Sequence, residues 1–424
     1  MFRSGVKRSW LLLVALTLGL IAVATEAFAA EVTIEYYNGI TGGDRPGMEL
    51  LVRMFNQQYA GKYKVNMVIA PWDEYYTKIV VGVASGTAPD VGLMHWDRIP
   101  EFAHQGVLRP IDDMFQALKL SPNDFLGSTG QLGIYKGKRY AIPLDAHPQV
   151  LYYDKDLFEK VGLPGTPRNP AQYLEYAKKL TMDKNGDGST DVWGTLYRAG
   201  SSTFYATLWQ MGGHYLGGDD WSEVTLNTPV ARKALQFGQE LVWKHKVSPN
   251  HIWVNKFGGE VAMDIDGIWW LRTAQDLRKE GKANVWIDRA DTLFGDVRAG
   301  APAGSHQIVV FKQRKEQPEK IQAVQTFIDF LSRNSALWGL YGGQIPLRKI
   351  AYEAEEWKQM TEHQLIIRGQ LIFVPPVPWG GGLGVLDELM DKVVQQGQPI
   401  EPALEQAIQK LEVKIRETRQ KLGL

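Results

Sequence analysis

The stretch "IPLDAHPQVLYYDKDLFEK", residues 142–160, opens on a proline and an acid, runs through the apolar segment Val150–Tyr153, and ends on Asp154 ahead of an amphipathic turn. An apolar run bounded in this way reads as a buried strand, and Asp154 as the cap of the helix that follows. Asp145 sits just before that strand, and only the wider organisation of the chain gives it a role.

The 424 residues exceed what one hydrophobic core usually organises, so two domains with interleaved segments are expected. At the N-terminus, Arg3, Lys7 and Arg8 precede an apolar run from Trp10 to Thr25, and "AFA" at 27–29 offers the small residues a signal peptidase reads. Residues 1–29 are therefore expected to be a signal peptide cleaved after Ala29. An uncleaved anchor is the rival, and the run is shorter than the ~20 residues a spanning helix needs.

Residues 1–30 hold three bases and one acid of the 47 and 47, leaving 44 and 46, a formal charge of −2. So neutral a chain carries no electrostatic footprint for nucleic acid. The absence of cysteine excludes disulfides, thiolate metal sites and a lipidated N-terminal Cys. Export without either device points to a bacterial periplasm.

Outward from the opening stretch the mature chain alternates strands and helices. Val32, Ile34 and Tyr36 alternate as in a strand, and Met48, Leu51, Val52 and Phe55 then follow a helical stripe. Val65, Met67 and Ile69 alternate again, Tyr76, Ile79, Val80 and Val83 form a second stripe that stops at Ser85-Gly86, and "DVGLMHW" is a third apolar segment. This βαβαβ order predicts a parallel, doubly wound α/β sheet.

Ligands of such sheets bind beyond the carboxyl ends of the strands. Those ends read "YYNGITGGD", "APWDEYY" and "MHWDRIPEF", which offer Asn38, Asp44, Trp72, Asp73, Trp96 and Asp97. An indole face packs against the C–H face of a pyranose, while a carboxylate accepts from its hydroxyls. The competing structural reading makes the tryptophans core plugs and the aspartates helix caps.

The opening stretch also closely resembles the signature of family 1 extracellular solute-binding proteins, the periplasmic receptors of sugar ABC importers. Pro143-Leu144-Asp145, four free positions, Val150-Leu151-Tyr152-Tyr153-Asp154, three free positions, Phe158 and Lys160 all fit. "GTAPDVGLMHWDRIPEFAHQGVLRPIDD", "GGEVAMDIDGIWWLRTA" and "PEKIQAVQTFIDFLSR" are similar to further segments of the family, so the similarity covers most of the mature chain.

The resemblance implies the two-lobed periplasmic binding protein fold of type II, each lobe a mostly parallel sheet flanked by helices, with a hinge crossed several times. Lobe 1 would comprise 30–144 plus 305–343, and lobe 2 145–304 plus 344–424. Residues 142–147 would be the first crossing, with Asp145 on the cleft floor, and later crossings would fall near Gly304-Ser305 and Gln344-Ile345-Pro346. The resemblance further implies a monomeric receptor with no catalytic activity and no required cofactor, whose partners are a carbohydrate and the permease subunits of an ABC transporter.

In lobe 2, "TLWQMGGHYL" offers Trp209, "DIDGIWW" offers Asp266, Gly267 and Trp269, and "PPVPWGGGLGVLDELM" offers Trp379 and Gly380. Of the adjacent pair, Trp269 is assigned to the cleft and Trp270 to packing. Asp264 and Asp266 would share one strand face, which fits hydrogen bonding as well as acid–base work.

"DKNGDGSTD" matches the first part of a calcium loop, with Asp183, Asn185, Asp187, Ser189 and Asp191 as ligands, but position 12 is Gly194 and lacks the bidentate Glu. A structural calcium and a plain Asx-rich connector are the two readings. The eight His residues show no metal spacing, and His95, His147 and His306 are the ones near predicted strand ends.

A secreted glycosidase with two carboxylates is the alternative of another class; no G-x-S-x-G, H-E-x-x-H or phosphate loop is present. Related receptors also take polyols and glycerol-phosphate compounds, for which Arg45, Arg98 and Arg348 are the candidate cations.

Overall fold

In the computed structural model the described residues are 30–251, 254–255, 257–373, 377 and 382–424. The expected signal peptide, Trp379 and Gly380 lie outside them. Among the described residues no helix is long and apolar enough to cross a membrane.

The first quarter of the chain builds β1 (Val32–Asn38), α1 (Arg45–Gln58), β2 (Tyr63–Ile69), α2 (Trp72–Ser85) and β3 (Val91–His95). Met48, Leu51, Val52 and Phe55 are the buried stripe of α1, and Pro46 fits its first turn. Helix α2 stops at Gly86, whose φ of 80° is the left-handed cap that glycine adopts without steric cost. Strands β4 (Ala141–Pro143) and β5 (Asp145–Asp154) follow, then α3 (Ser201–Gln210), β6 (Met263–Gly267), α4 (Leu271–Lys279), β7 (Val285–Arg289), β8 (Ala301–Gly304) and β9 (His306–Val310). The chain ends with α5 (Pro318–Arg333), α6 (Ser335–Gly342), β10 (Ile345–Pro346), β11 (Leu371–Phe373), α7 (Leu383–Met390) and α8 (Ile400–Leu422).

Two large sheets result. The first has the order β2-β1-β3-β9-β4; β1 runs parallel to β2 and β3, whereas β9 is antiparallel to β3 and β4. Phe327 of α5 packs edge-on to Tyr36 of β1 at 5.1 Å and to Phe55 of α1 at 5.0 Å, closing one face of that sheet. The second sheet is organised by the long strand β5, which pairs with β6, β7, β8 and β10, while β8 also pairs with β11.

All four ladders on β5 are antiparallel, and only β8 with β11 is parallel. A mostly parallel sheet was expected in each lobe; two of the four pairings are parallel in the first sheet and the second is mostly antiparallel, so this detail is corrected for both. Strand β5 enters from the hinge, and every later strand that returns to it runs the other way.

The chain passes between the sheets at Leu144, which joins β4 to β5, and at Ser305, which joins β8 to β9. Both are fully buried. Beyond β10, Leu347 C=O still accepts from Leu126 N–H at 2.8 Å and Arg348 bridges Phe125, so these residues lie against the first lobe rather than the second. The core of the second lobe gathers Leu151, Phe204, Leu208, Phe294, Leu386, Met390 and Leu411.

Candidate functional site

A cleft of about 750 Å³ opens between the two sheets. The first lobe contributes Thr41, Gly42 and Asp44 from the loop entering α1, Trp72, Asp73 and Tyr76 from the start of α2, His95 at the end of β3 and Trp96 to Arg98 beyond it. The second contributes Gln149, Ser202, Trp269, Trp270, Pro302 to Gly304 and Leu383, with His147 and His306 beside the hinge. These are mainly strand ends and helix starts, where backbone groups and side chains converge.

Two indoles are seated by glycines. A Cβ on Gly39 would lie 2.1 Å from the Trp72 ring, and one on Gly267 would lie 1.9 Å from the Trp269 ring. The missing side chains let both rings lie against backbone. Trp72 then stacks on His306 with centroids 5.5 Å apart and planes 12° apart, and Trp269 meets His147 edge-on at 6.1 Å.

The lobes also touch across the cleft. A Cβ on Gly43 would come within 3.0 Å of Trp269 C=O, and Trp96 packs edge-on against Phe373 at 5.6 Å.

The lining is acid-rich. Burial pushes the Asp44 carboxyl up to about 6, against the hydrogen bond from Gln344 at 2.9 Å. Burial likewise raises Asp97, which Arg98 partly offsets. Arg98 is the one cation among the described lining residues; it pairs with Glu101 at 3.3 Å and lies over the rings of Tyr76 and Phe102.

Of the residues singled out in the sequence, Trp72, Asp73, Trp96, Asp97 and Trp269 line this cleft; Trp270, assigned to packing, does pack against the buried core and also reaches the cleft. Gly267 acts by making room for Trp269. Four others are corrected. Asn38 is fully buried, and its Oδ1 accepts from Ile40 N–H at 3.0 Å to shape the loop. Trp209 donates to Ala299 C=O at 3.0 Å and its face is covered by the Arg298 guanidinium at 3.8 Å. Asp266 accepts from Gly267 N–H at 2.7 Å and pairs with Arg198, which also grips Asp264 through two hydrogen bonds.

Asp145 is the fourth. Its carboxylate accepts from His306 N–H at 3.0 Å, His306 Nδ1 at 2.8 Å, His147 Nδ1 at 3.2 Å and Trp338 Nε1 at 2.6 Å. Such a set fills its acceptor positions, so Asp145 organises the hinge instead of reaching a solute.

In the 183–191 loop, Asp183 accepts from Gly186 and Gly188 N–H, Asp187 from Ser189 N–H, and Asn185 from Asp187 N–H. Asp191 accepts from Lys184 N–H. The carboxylates close Asx turns on the loop itself.

Tyr76, Gln149, Ser202 and Leu383 are lining residues not named from sequence, and Asp44 and the three histidines, named there, line the cleft as well. For Asp44 and the histidines the usable signal was their place at strand and helix ends. For the others there was none.

Residues 42–337 match the family model described as bacterial extracellular solute-binding protein. A Brucella abortus (strain 2308) protein, named only as a binding protein, is 26% identical over 300 residues, which cover 67% of this chain and 64% of that one. The chain thus spans less than two thirds of that relative's length. The sn-glycerol-3-phosphate-binding periplasmic protein UgpB of Escherichia coli is 22% identical over 435 residues, 93% of this chain and 95% of its own. Among solved structures, maltose-bound MalE3 of T. maritima superposes with a TM-score of 0.77 at 23% identity, covering 90% of this chain and 99% of that one. That likeness establishes the two-lobed fold.

Proposed function

The chain belongs to the family of bacterial extracellular solute-binding proteins, and on that premise we propose that it captures a neutral sugar or oligosaccharide in the interlobe cleft and delivers it to the permease of an ABC importer. It works as an exported monomer in the periplasm, residues 1–29 having been removed, and it returns its ligand chemically unchanged.

One observation carries the choice of ligand: indole faces from both lobes, Trp72 and Trp269, share one cleft with the carboxylates of Asp73 and Asp97. Rings stack on the apolar face of a pyranose, and carboxylates accept from its equatorial hydroxyls. A phosphate ester asks for convergent cations. Of the three candidate arginines, Arg45 pairs with Glu49, and Arg348 bonds Ser332 beside Asp329 inside the first lobe. Only Arg98 reaches the cleft, where Asp44, Asp73 and Asp97 outnumber it.

A polyol or glycerol-phosphate ligand is the second reading, supported by the buried Arg98 Nε, which has no hydrogen-bond partner among the described residues. A thermal-shift panel of oligosaccharides, polyols and glycerol 3-phosphate separates the two. Ligand at 100 times its Kd adds about 2.7 kcal/mol of stability. Stabilisation by glycerol 3-phosphate and by no carbohydrate overturns the sugar reading, and mass spectrometry of the recovered ligand tests that it is unaltered.

A further inference from the structure

Three histidines far apart in the chain meet on the cleft floor, at the seam between the two sheets. His95 ends β3, and His306 stands directly opposite it in the antiparallel ladder of β9. His147 of β5 has Gly304 as its ladder partner, just before the crossing to His306. One nitrogen of each ring lies within 4.8 Å of a nitrogen of each of the other two. From this juxtaposition we infer that His95, His147 and His306 form a binding site for a divalent transition-metal ion of the zinc class, with an open coordination position facing the cleft.

The backing of the rings is what a metal site needs. Asp145 holds Nδ1 of His306 at 2.8 Å and Nδ1 of His147 at 3.2 Å. A carboxylate only accepts, so each of these rings carries a proton on Nδ1, and Nε2 is the nitrogen left to meet a metal ion. The Tyr76 hydroxyl holds Nδ1 of His95 at 2.7 Å. Among the described residues no hydrogen-bond partner engages Nε2 of any of the three, and all three rings line the cleft. An imidazole with a carboxylate behind its other nitrogen has its tautomer and ring orientation set for ligation, and the hydroxyl behind His95 sets that ring's orientation.

The rings are also held in place. Two strand ladders set their backbones, and Trp72 covers His306 and lies 4.2 Å from His95. Gly304 leaves the space that His147 occupies: a Cβ there would fall 2.0 Å from His147 Nε2. Nitrogens around a tetrahedral zinc stand roughly 3.3 Å apart for Zn–N bonds of about 2.0–2.1 Å. The three nitrogens, within 4.8 Å of one another, stand wider than that, so a bound ion would have to draw them together.

Charge selects a cation over an anion. The surrounding Asp44, Asp73 and Asp97 oppose a phosphate and favour a metal ion. Imidazole donors suit zinc, copper and nickel rather than calcium or magnesium. The inference does not rest on the carbohydrate reading.

The test uses the purified chain, stripped with EDTA and then freed of it. Titration calorimetry with zinc chloride should give one ion per chain, and cobalt(II) should develop the intense visible bands of a four- or five-coordinate nitrogen site. His95→Gln and His147→Gln should each weaken zinc binding by more than about 100-fold, beyond what loss of a hydrogen-bond partner behind a ligand costs. Both should keep the parent's circular dichroism, and His245→Gln should bind zinc as the parent does. Folded His95→Gln and His147→Gln variants that titrate like the parent overturn the site. So does a parent that takes up less than one zinc, or a cobalt complex with the pale spectrum of six-coordinate solvent; the cobalt spectrum decides if the variants do not fold. A zinc-binding parent that no carbohydrate stabilises would reject the sugar reading and leave the metal site standing.

Discussion

The indole nitrogen of Trp338, on α6 of the first lobe, donates to Oδ2 of Asp145 at 2.6 Å where the chain passes to the second lobe. Burial alone would raise the pKa of this carboxyl, but His306 and the hydrogen bonds from both histidines pull it down, and it stays ionised. One buried charge thereby ties together β5, β9 and α6. The signature acid of the opening stretch is a structural hub of the hinge.

Asp145→Ala should therefore act on stability. It leaves Trp338 N–H, His306 N–H and two imidazoles facing an empty site, a loss of about 3–5 kcal/mol by analogy with breaking a buried ion pair. Urea denaturation in EDTA measures it. A variant as stable as the parent that no longer binds solute would return Asp145 to the ligand.

Asp44 gives a pH dependence of definite sign. Its folded pKa of about 6 lies above the 3.8 usual for an aspartate, so the folded state holds the proton more tightly. The stabilisation is fully present below the unfolded value and is lost as pH rises through about 6. Near pH 8 the buried charge costs on the order of 3 kcal/mol, taking about 1.4 kcal/mol per unit. Asp44→Asn should thus be more stable than the parent near pH 8, with the difference shrinking toward about pH 4. Equal differences at both ends of that range would mean that Asp44 ionises freely.

The fold class was legible because β1, α1, β2, α2 and β3 each carry their own period, and their boundaries fall where Ser85-Gly86 and the polar loops put them. Trp72, Asp73, Trp96, Asp97 and Trp269 could be placed at the cleft because strand ends in an α/β sheet point there. Pairing direction was not legible in the second lobe, where β5 is met by strands from remote parts of the chain. The same holds for partners. Asp145, Trp209 and Asp266 had the right chemistry, but Trp338, Arg298 and Arg198 had already engaged them, and each of those contacts spans a long stretch of chain. The three histidines stood out in the sequence by their place at strand ends, but their convergence did not: it exists only in the ladders of β3, β5, β8 and β9.

The loop at Asp183 should behave as a connector. Its carboxylates are already taken up by loop amides, and position 12 has no room for a ligand: a Cβ on Gly194 would stand 1.8 Å from Ala177 C=O. Melting curves with millimolar calcium and with EGTA should coincide. A calcium-dependent rise that Asp187→Ala abolishes would assign a structural ion to this loop instead.

The glycines beneath the two indoles offer the sharpest test of the aromatic platform, because they change ring position without removing a ring. Gly267→Ala would place a methyl 1.9 Å from Trp269, and Gly39→Ala would place one 2.1 Å from Trp72, so each indole must swing away from its seat. Trp269→Ala removes the stacking face altogether and should cost about 2–4 kcal/mol of binding, in the range of interface hot spots, whereas Trp269→Phe keeps an aromatic face and should cost less. Gly267→Ala should fall between them, since its ring is present but displaced. Calorimetry with the solute found by the thermal-shift panel, on variants whose melting temperatures are known, gives the order. If Gly267→Ala and Trp269→Ala both bind as the parent does, Trp269 does not touch the solute, and the platform must be sought on the first lobe at Trp72 and Tyr76.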